Sequence, residues 1–141
     1  MMTTKNFFIC QGIISLAFGI PLLFASQMMV DMYAVQKTEV TGLLDLVARG
    51  YGALLIAVGV TYILIRDASP SIARRGFLQL PIIGNTLATI VHVRAMLQGT
   101  ENSMGWTTVL IIAALGVWSA LLLSKEKDLN LQGGIQEIKY P

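Results

Sequence analysis

The side chains able to do chemistry in this sequence stand inside or beside long apolar segments. Arg49 lies in the segment LLDLVARGYGALLIAVGVTYILIRD, four residues after Asp45, and this spacing places both side chains on one helical face. Such a pair can neutralise itself, or its planar guanidinium can hold a ligand by a forked contact. The single histidine, His92, could act as an acid or base, and Glu101 is its only obvious partner. These residues indicate either a small polar site or a set of interfacial anchors.

The sequence excludes several other kinds of site. Its single cysteine, Cys10, allows no internal disulfide and no zinc or haem-attachment spacing. One histidine cannot ligate a haem from both sides, and no catalytic motif is present, so we expect no metal and no cofactor. The net charge of +2 is small and falls in short connectors, which argues against a nucleic-acid partner.

The composition indicates a membrane protein. Of the 141 residues, 55% are hydrophobic and 13% are charged, whereas soluble domains carry about 25% charged residues. A chain with so few charges cannot cover a folded surface with polar groups. Lipid is therefore the expected surrounding for the excess apolar surface.

Four apolar windows predict the elements that must position the polar residues. They cover residues 6–26, 43–65, 76–96 and 105–123, each close to the roughly 20 residues that cross a bilayer as a helix. The predicted fold is all-α, an integral membrane four-helix bundle with antiparallel neighbours. Residues 1–123 form its single domain. Residues 124–141 are predicted to be a short cytoplasmic tail, extended or bound to a partner, with a breaker at Gly133–Gly134.

The basic residues predict the orientation. Seven lie on the side of the termini: Lys5, Arg66, Arg74, Arg75, Lys125, Lys127 and Lys139. Three lie at or near the other side: Lys37, Arg49 and Arg94. Because cytoplasmic loops are enriched in Lys and Arg, both termini are predicted to be cytoplasmic.

Small residues on each span predict a compact bundle, because they let helix backbones approach closely in lipid. Pairs spaced by four residues occur on every span, and one glycine from each is predicted to pack against another helix: Gly19, Gly52, Gly84 and Gly116.

Counting depth along the predicted helices brings the distant polar residues into one layer. With cytoplasmic termini, Arg49 lies about 9 Å and His92 about 6 Å inside the outer ends of their helices. Asp45 and Glu101 belong to the same outer layer. Asn85, Thr89 and His92 share one helical face.

One interpretation of this polar layer is an interfacial Asp–Arg pair with ordinary interhelical hydrogen bonds. The other is a polar pocket that contacts a ligand or partner through Asp45, Arg49, Asn85, Thr89, His92 and Glu101.

Two stretches resemble the small four-helix membrane proteins of the DoxX-like group and their uncharacterised bacterial relatives. They are ARGYGALLIAVGVTYIL, with Arg49 three residues before Gly52, and GTENSMGWTTVLIIAALGVW, with the turn Gly99, Asn102, Gly105, Trp106. The resemblance implies a four-helix membrane fold in a bacterial inner membrane and no particular chemistry.

These observations leave two main functions open. The first expectation is a non-catalytic accessory or structural subunit of a larger membrane complex, in contact with lipid and with other subunits or copies of itself. The alternative is a binding or carrier protein for a lipid, quinone or other apolar small molecule in the outer polar layer. A membrane enzyme using His92 is the weakest hypothesis, because only Glu101 could serve as a second group.

Overall fold

The computed structural model describes the backbone of residues 3–37 and 39–137 and the side chains of residues 3–37 and 39–126. Over that part of the chain the structure is all-helical, apart from an isolated β-bridge between Ala34 and Glu101. Its helices are α1 (Thr4–Phe24), α2 (Ser26–Tyr33), α3 (Gly42–Leu64), α4 (Ile72–Leu97) and α5 (Met104–Glu137).

Four of these helices are long and apolar enough to cross a membrane, as the sequence predicts. The apolar segments are Thr4–Phe24, Gly42–Leu64, Ile72–Leu97 and Met104–Glu126. The end of the last helix differs from the prediction, because α5 continues past residue 123 and through Gly133–Gly134 to Glu137. Residues 138–141 of the predicted tail lie outside the described residues.

Polar side chains cap the first turns of α1 and α4. Thr3 Oγ1 accepts a hydrogen bond from the Asn6 backbone N–H at 3.2 Å, and Ser71 Oγ accepts one from the N–H of Arg74 at 3.2 Å. Such caps satisfy N–H groups that have no partner within the helix. Each cap falls at the change from a polar connector to an apolar run.

Glycines let α1 and α3 pack backbone against backbone. A Cβ atom on Gly12 would lie 2.9 Å from the Gly59 carbonyl oxygen. A Cβ atom on Gly52 would lie 2.6 Å from Leu23 N and 2.8 Å from the Gly19 carbonyl oxygen. The two glycines on each helix are seven residues apart, so they recur on the same face after two turns. Gly19 and Gly52 therefore lie in this contact.

The contact between α4 and α5 is looser at the glycines. A Cβ atom on Gly116 would lie 3.8 Å from Asn85 Cβ, which is an ordinary packing distance. A Cβ atom on Gly84 would meet no neighbouring atom within 4 Å beyond its own helical turn. The predicted packing role of Gly84 is therefore corrected, because no helix backbone approaches this residue.

Pro81 breaks the hydrogen bonding of α4, and neighbouring helices repair it. Proline has no N–H, so the Phe77 carbonyl four residues earlier loses its helical partner. The Tyr62 hydroxyl of α3 donates to that carbonyl oxygen at 2.8 Å. Ser119 Oγ of α5 donates to the next carbonyl, that of Leu78, at 2.6 Å. The turn that precedes Pro81 is thereby joined to both α3 and α5.

Apolar and polar contacts close one end of the bundle, which we call the base. Its buried core is formed by Phe7, Phe8, Tyr62, Leu78, Leu115 and Leu122. Below this core, Glu126 accepts a hydrogen bond from Thr4 at 3.5 Å and pairs with Arg74 at 2.8 Å. Lys5 pairs with Asp67 at 2.7 Å, and this hydrogen bond lowers the pKa of Asp67. The opposite end, which holds α2 and the turn between α4 and α5, is the mouth.

Candidate functional site

A groove separates the α1–α3 pair from the α4–α5 pair. Contacts are extensive within each pair and sparse between the pairs. The resulting cavity has a volume of about 580 Å³ and is lined by residues of all five helices and of the turn before α5. Its lining is mostly aliphatic, aromatic and small residues. The polar lining residues are Gln11, Ser15, Tyr33, Tyr51, Tyr62, Asn85, His92, Thr100, Glu101 and Thr108.

At the mouth, His92 and Glu101 form the polar end of the groove. His92 Nδ1 lies 2.8 and 2.9 Å from the two carboxyl oxygens of Glu101. The Glu101 side chain is only 9% exposed. Beside them the Tyr33 hydroxyl lies 2.7 Å from Thr108 Oγ1. Because Glu101 holds Nδ1 of His92, Nε2 is the ring atom available to a bound molecule.

The turn between α4 and α5 positions Glu101. Gly99 has a φ of +70°, a left-handed conformation that glycine adopts without strain. Asn102 donates to the Met32 carbonyl at 2.9 Å, which fixes the turn to α2, and accepts from the N–H of Met104 at 2.8 Å, which caps α5. A Cβ atom on Gly105 would lie 2.7 Å from the carboxyl carbon of Glu101. Gly99, Asn102 and Gly105 therefore have a local structural role in this turn.

Asp45 and Arg49 form a separate cluster at the junction of α1 and α2. Arg49 Nε donates to Asp45 Oδ2 at 2.7 Å, and its Nη1 donates to the Leu23 carbonyl oxygen at 3.2 Å. Asp45 also accepts a hydrogen bond from Ser26 Oγ at 2.6 Å. Neither Asp45 nor Arg49 is among the residues that line the groove. The hypothesis that Arg49 and His92 converge in one pocket is corrected: each pairs with its own carboxylate.

Polar groups at middle depth were only partly expected from the sequence. Asn85 lines the groove, whereas Thr89, predicted on the same face, does not. Gln11 is only 8% exposed, and its Nε2 donates to Ser15 Oγ at 3.3 Å. Two buried atoms there have no hydrogen-bond partner, Gln11 Oε1 and Asn85 Nδ2. The sequence could have identified Gln11 as a buried polar residue, because it is a single amide side chain within an apolar span.

The described lining of the groove carries few ionisable side chains. Within the described residues, no group of three His, Cys, Asp or Glu side chains could hold a metal ion. The lining includes one carboxylate and one imidazole, which bond each other, and neither Lys nor Arg is among the described lining residues. An apolar wall with a few placed polar groups is typical of sites for small molecules.

Comparison with known proteins gives no family for this chain: no family model, curated protein or solved structure matches it.

Proposed function

We propose that this chain is a non-catalytic membrane protein that binds an amphipathic small molecule, such as a lipid or a quinone, in the groove. The observation that carries the proposal is the cavity of about 580 Å³ between the two helix pairs. This volume falls within the range of about 300–1,000 Å³ that small-molecule sites occupy.

The shape of the groove supports an elongated occupant. Its α4 wall runs from Leu80 to Ala95, a distance of about 22 Å at 1.5 Å per residue. Apolar side chains line most of this length, and His92 and Glu101 lie at one end. An apolar chain along the wall, with a polar group nearer the mouth, matches this distribution.

The proposed setting is a bacterial inner membrane with both termini in the cytoplasm and neighbouring helices antiparallel. The contacts of Lys5 with Asp67 and of Arg74 with Glu126 support this arrangement, because they gather the basic residues at the base. The positive-inside rule assigns that end to the cytoplasm. The His92–Glu101 pair then lies toward the outer leaflet.

The accessory-subunit role expected from the sequence stays a prediction, because none of the described contacts bears on it. The groove favours the binding role, since an apolar cavity open to a membrane would hold an amphiphile in any case. An enzymatic role for His92 has no further support, because its described hydrogen-bond partner is Glu101 alone.

Blocking the groove tests the proposal. Gly84 lines it, and a side chain at this position has open space in front of it, so Gly84→Phe should fill the groove without disturbing the helices. Gly50→Phe is the matched control, because a Cβ atom at Gly50 also meets nothing within 4 Å and Gly50 does not line the groove.

The measurement is mass spectrometry of the molecules that remain with the full chain after purification in a mild detergent. We expect a retained amphiphile with the wild type and with Gly50→Phe, and its loss with Gly84→Phe. Equal retention by Gly84→Phe and the wild type would contradict binding in the groove. Equal thermal midpoints of the two variants would establish that both are folded.

A further inference from the structure

The helices that line the groove differ in how far their lining residues are exposed. The described lining residues of α1, α2 and α5 are all buried or half-buried, and Leu115 of α5 is only 4% exposed. The exposed lining residues belong to α3 and α4, apart from Thr100 in the turn before α5. They are Tyr51, Leu54, Leu80, Gly84 and Val91. The floor of the groove is therefore formed by α1, α2 and α5, and its rim by α3 and α4.

The two sides of the rim are separated by a slit. At the base end of the slit the rings of Tyr62 and Phe77 pack 5.9 Å apart between ring centres, and the Tyr62 hydroxyl donates to the Phe77 carbonyl. Beyond this point α3 and α4 are not among the helix pairs that pack closely in the described part of the chain. Gly84 and Ala88 are the small residues of the α4 rim, and the Cβ position of Gly84 faces open space. Small residues here keep the slit open.

The two ends of the groove are covered. The buried core closes the base. At the other end α2 contacts α1, α3 and α5, and Met29 of α2 is buried against the groove. The Tyr33 carbonyl accepts a hydrogen bond from the Asn102 N–H at 2.7 Å, and the Thr100 carbonyl accepts one from the Val35 N–H at 3.3 Å. These bonds hold the end of α2 against the turn before α5, so the apolar lining is exposed mainly along the slit.

The slit lies at the depth of the membrane interior. The exposed rim residues fall at 51–54 and 80–91, in the middle of the apolar segments Gly42–Leu64 and Ile72–Leu97. In a bilayer this part of a crossing helix is surrounded by hydrocarbon and not by water. Apolar rim residues are favourable there, whereas a charged group would have to give up water beside a described lining without Lys or Arg. The slit therefore admits an apolar chain and excludes a charged head group.

We propose that one hydrocarbon chain of a bilayer lipid enters the groove sideways, through the slit between α3 and α4. The head group of that lipid stays at the level of the mouth, where His92 and Glu101 form the polar end of the groove. The ligand thus comes from the membrane and not from water. This inference rests on the proposed function and identifies the source and the route of its ligand.

A tryptophan on the floor of the groove tests the inference. Ile112 of α5 lines the groove and is half-buried, so Ile112→Trp places an indole there. The native tryptophans are removed by Trp106→Phe and Trp118→Phe. If this double substitution lowers the thermal midpoint, Trp118 is retained and its signal is subtracted with the chain that lacks Ile112→Trp. The protein is reconstituted into vesicles of phosphatidylcholine with or without bromine atoms in the middle of its acyl chains, since bromine quenches indole fluorescence on contact.

We expect the brominated chains to quench the floor tryptophan strongly, and iodide, which stays in water, to leave it unquenched. Gly84→Phe fills the slit and should remove most of the quenching by brominated lipid. Gly50→Phe is the matched control and should change nothing, because Gly50 has open space at its Cβ position and does not line the groove. Val117→Trp, at a residue 62% exposed on α5 outside the groove, should be quenched by brominated lipid equally in both backgrounds.

Three results would overturn the inference: quenching by iodide in place of brominated lipid, quenching by neither, or lipid quenching that Gly84→Phe leaves unchanged. The mass spectrometry of retained molecules separates these failures from failure of the proposed function. A retained amphiphile without lipid quenching would keep the binding role and reject the slit as its route. Lipid quenching without a retained amphiphile would establish the slit and reject stable binding in the groove.

Discussion

At the scale of single residues, Tyr62 and Pro81 form a unit although they belong to different helices. Tyr62 is fully buried, and its hydroxyl donates to the Phe77 carbonyl that Pro81 leaves without a helical partner. A carbonyl left unpaired in an apolar interior would be unfavourable. The hydroxyl therefore joins α3 to α4 where few other contacts join the two helix pairs.

This geometry predicts a coupling between the two residues. Tyr62→Phe should lower the free energy of unfolding by about 1–2 kcal/mol, because it leaves the carbonyl unsatisfied. In a Pro81→Ala background the alanine N–H can bond that carbonyl, so the same substitution should cost less. Thermal or SDS-induced unfolding of the double-mutant cycle measures the difference.

The control for this cycle is Tyr51→Phe, which removes a hydroxyl from an exposed tyrosine of the same helix and should have little effect on stability. Equal losses for Tyr62→Phe in both backgrounds would mean that its hydroxyl does not serve the carbonyl freed by proline.

Arg49 illustrates how far the sequence predicts a residue's role. Its pairing with Asp45 follows from the spacing of four residues, and the structure has that contact. Its second contact, with the Leu23 carbonyl at the end of α1, depends on the close approach of α1 and α3. The end of a helix leaves carbonyls without partners, and the guanidinium satisfies one of them. A charge in an apolar segment thus stabilises a helix junction.

At the scale of elements, the contact between α1 and α3 depends on glycines that no other residue can replace. At Gly52 an added methyl group would meet backbone atoms of α1, which cannot move aside as a flexible side chain can. Gly50, two residues earlier on the same helix, has open space at the Cβ position.

These positions predict opposite effects of the same substitution. Gly52→Ala should destabilise the fold by about 1–3 kcal/mol, because overpacking forces the helices apart. Gly50→Ala should be neutral or stabilising by up to about 1 kcal/mol, because alanine favours the helix more than glycine does. Unfolding of both variants in the same detergent is the measurement. A Gly52→Ala protein as stable as the wild type would contradict backbone contact between α1 and α3.

The sequence predicts the long helices, because their hydropathy identifies them. It does not predict the short helix or the helix contacts, which depend on packing. Four long apolar runs identify four helices, whereas the eight-residue α2 gives no comparable signal. The small-residue spacing of four led to Gly19 and Gly52 but missed the spacing of seven that adds Gly12 and Gly59. It also suggested Gly84, since small residues occur in any membrane helix and sequence alone does not tell which of them face another helix.

At the scale of the whole molecule, the two helix pairs are joined at their ends and separated between them. The buried core and the Arg74–Glu126 pair close the base, and Asn102 links the turn before α5 to α2 at the mouth. The groove is the space that remains. Counting residues from the helix ends gives the depth of each side chain in the membrane, so the sequence could place His92 near Glu101. It could not separate them from Arg49, because the rotation of each helix about its axis depends on packing.

The proposed orientation makes a prediction about the whole molecule in its membrane. By sequence, seven of the ten basic residues fall on the side of the termini, so the base should face the cytoplasm and the mouth the opposite side. In a Cys10→Ala background, a cysteine at the exposed Glu39 should react with a membrane-impermeant maleimide added to intact cells. A cysteine at the exposed Ser69, in the connector between α3 and α4, should react only after the membrane is permeabilised. The reverse pattern would invert the orientation and put the His92–Glu101 end of the groove toward the cytoplasm. The glycine contacts and the groove itself would then be unchanged, but a ligand would reach its polar end from the inner leaflet.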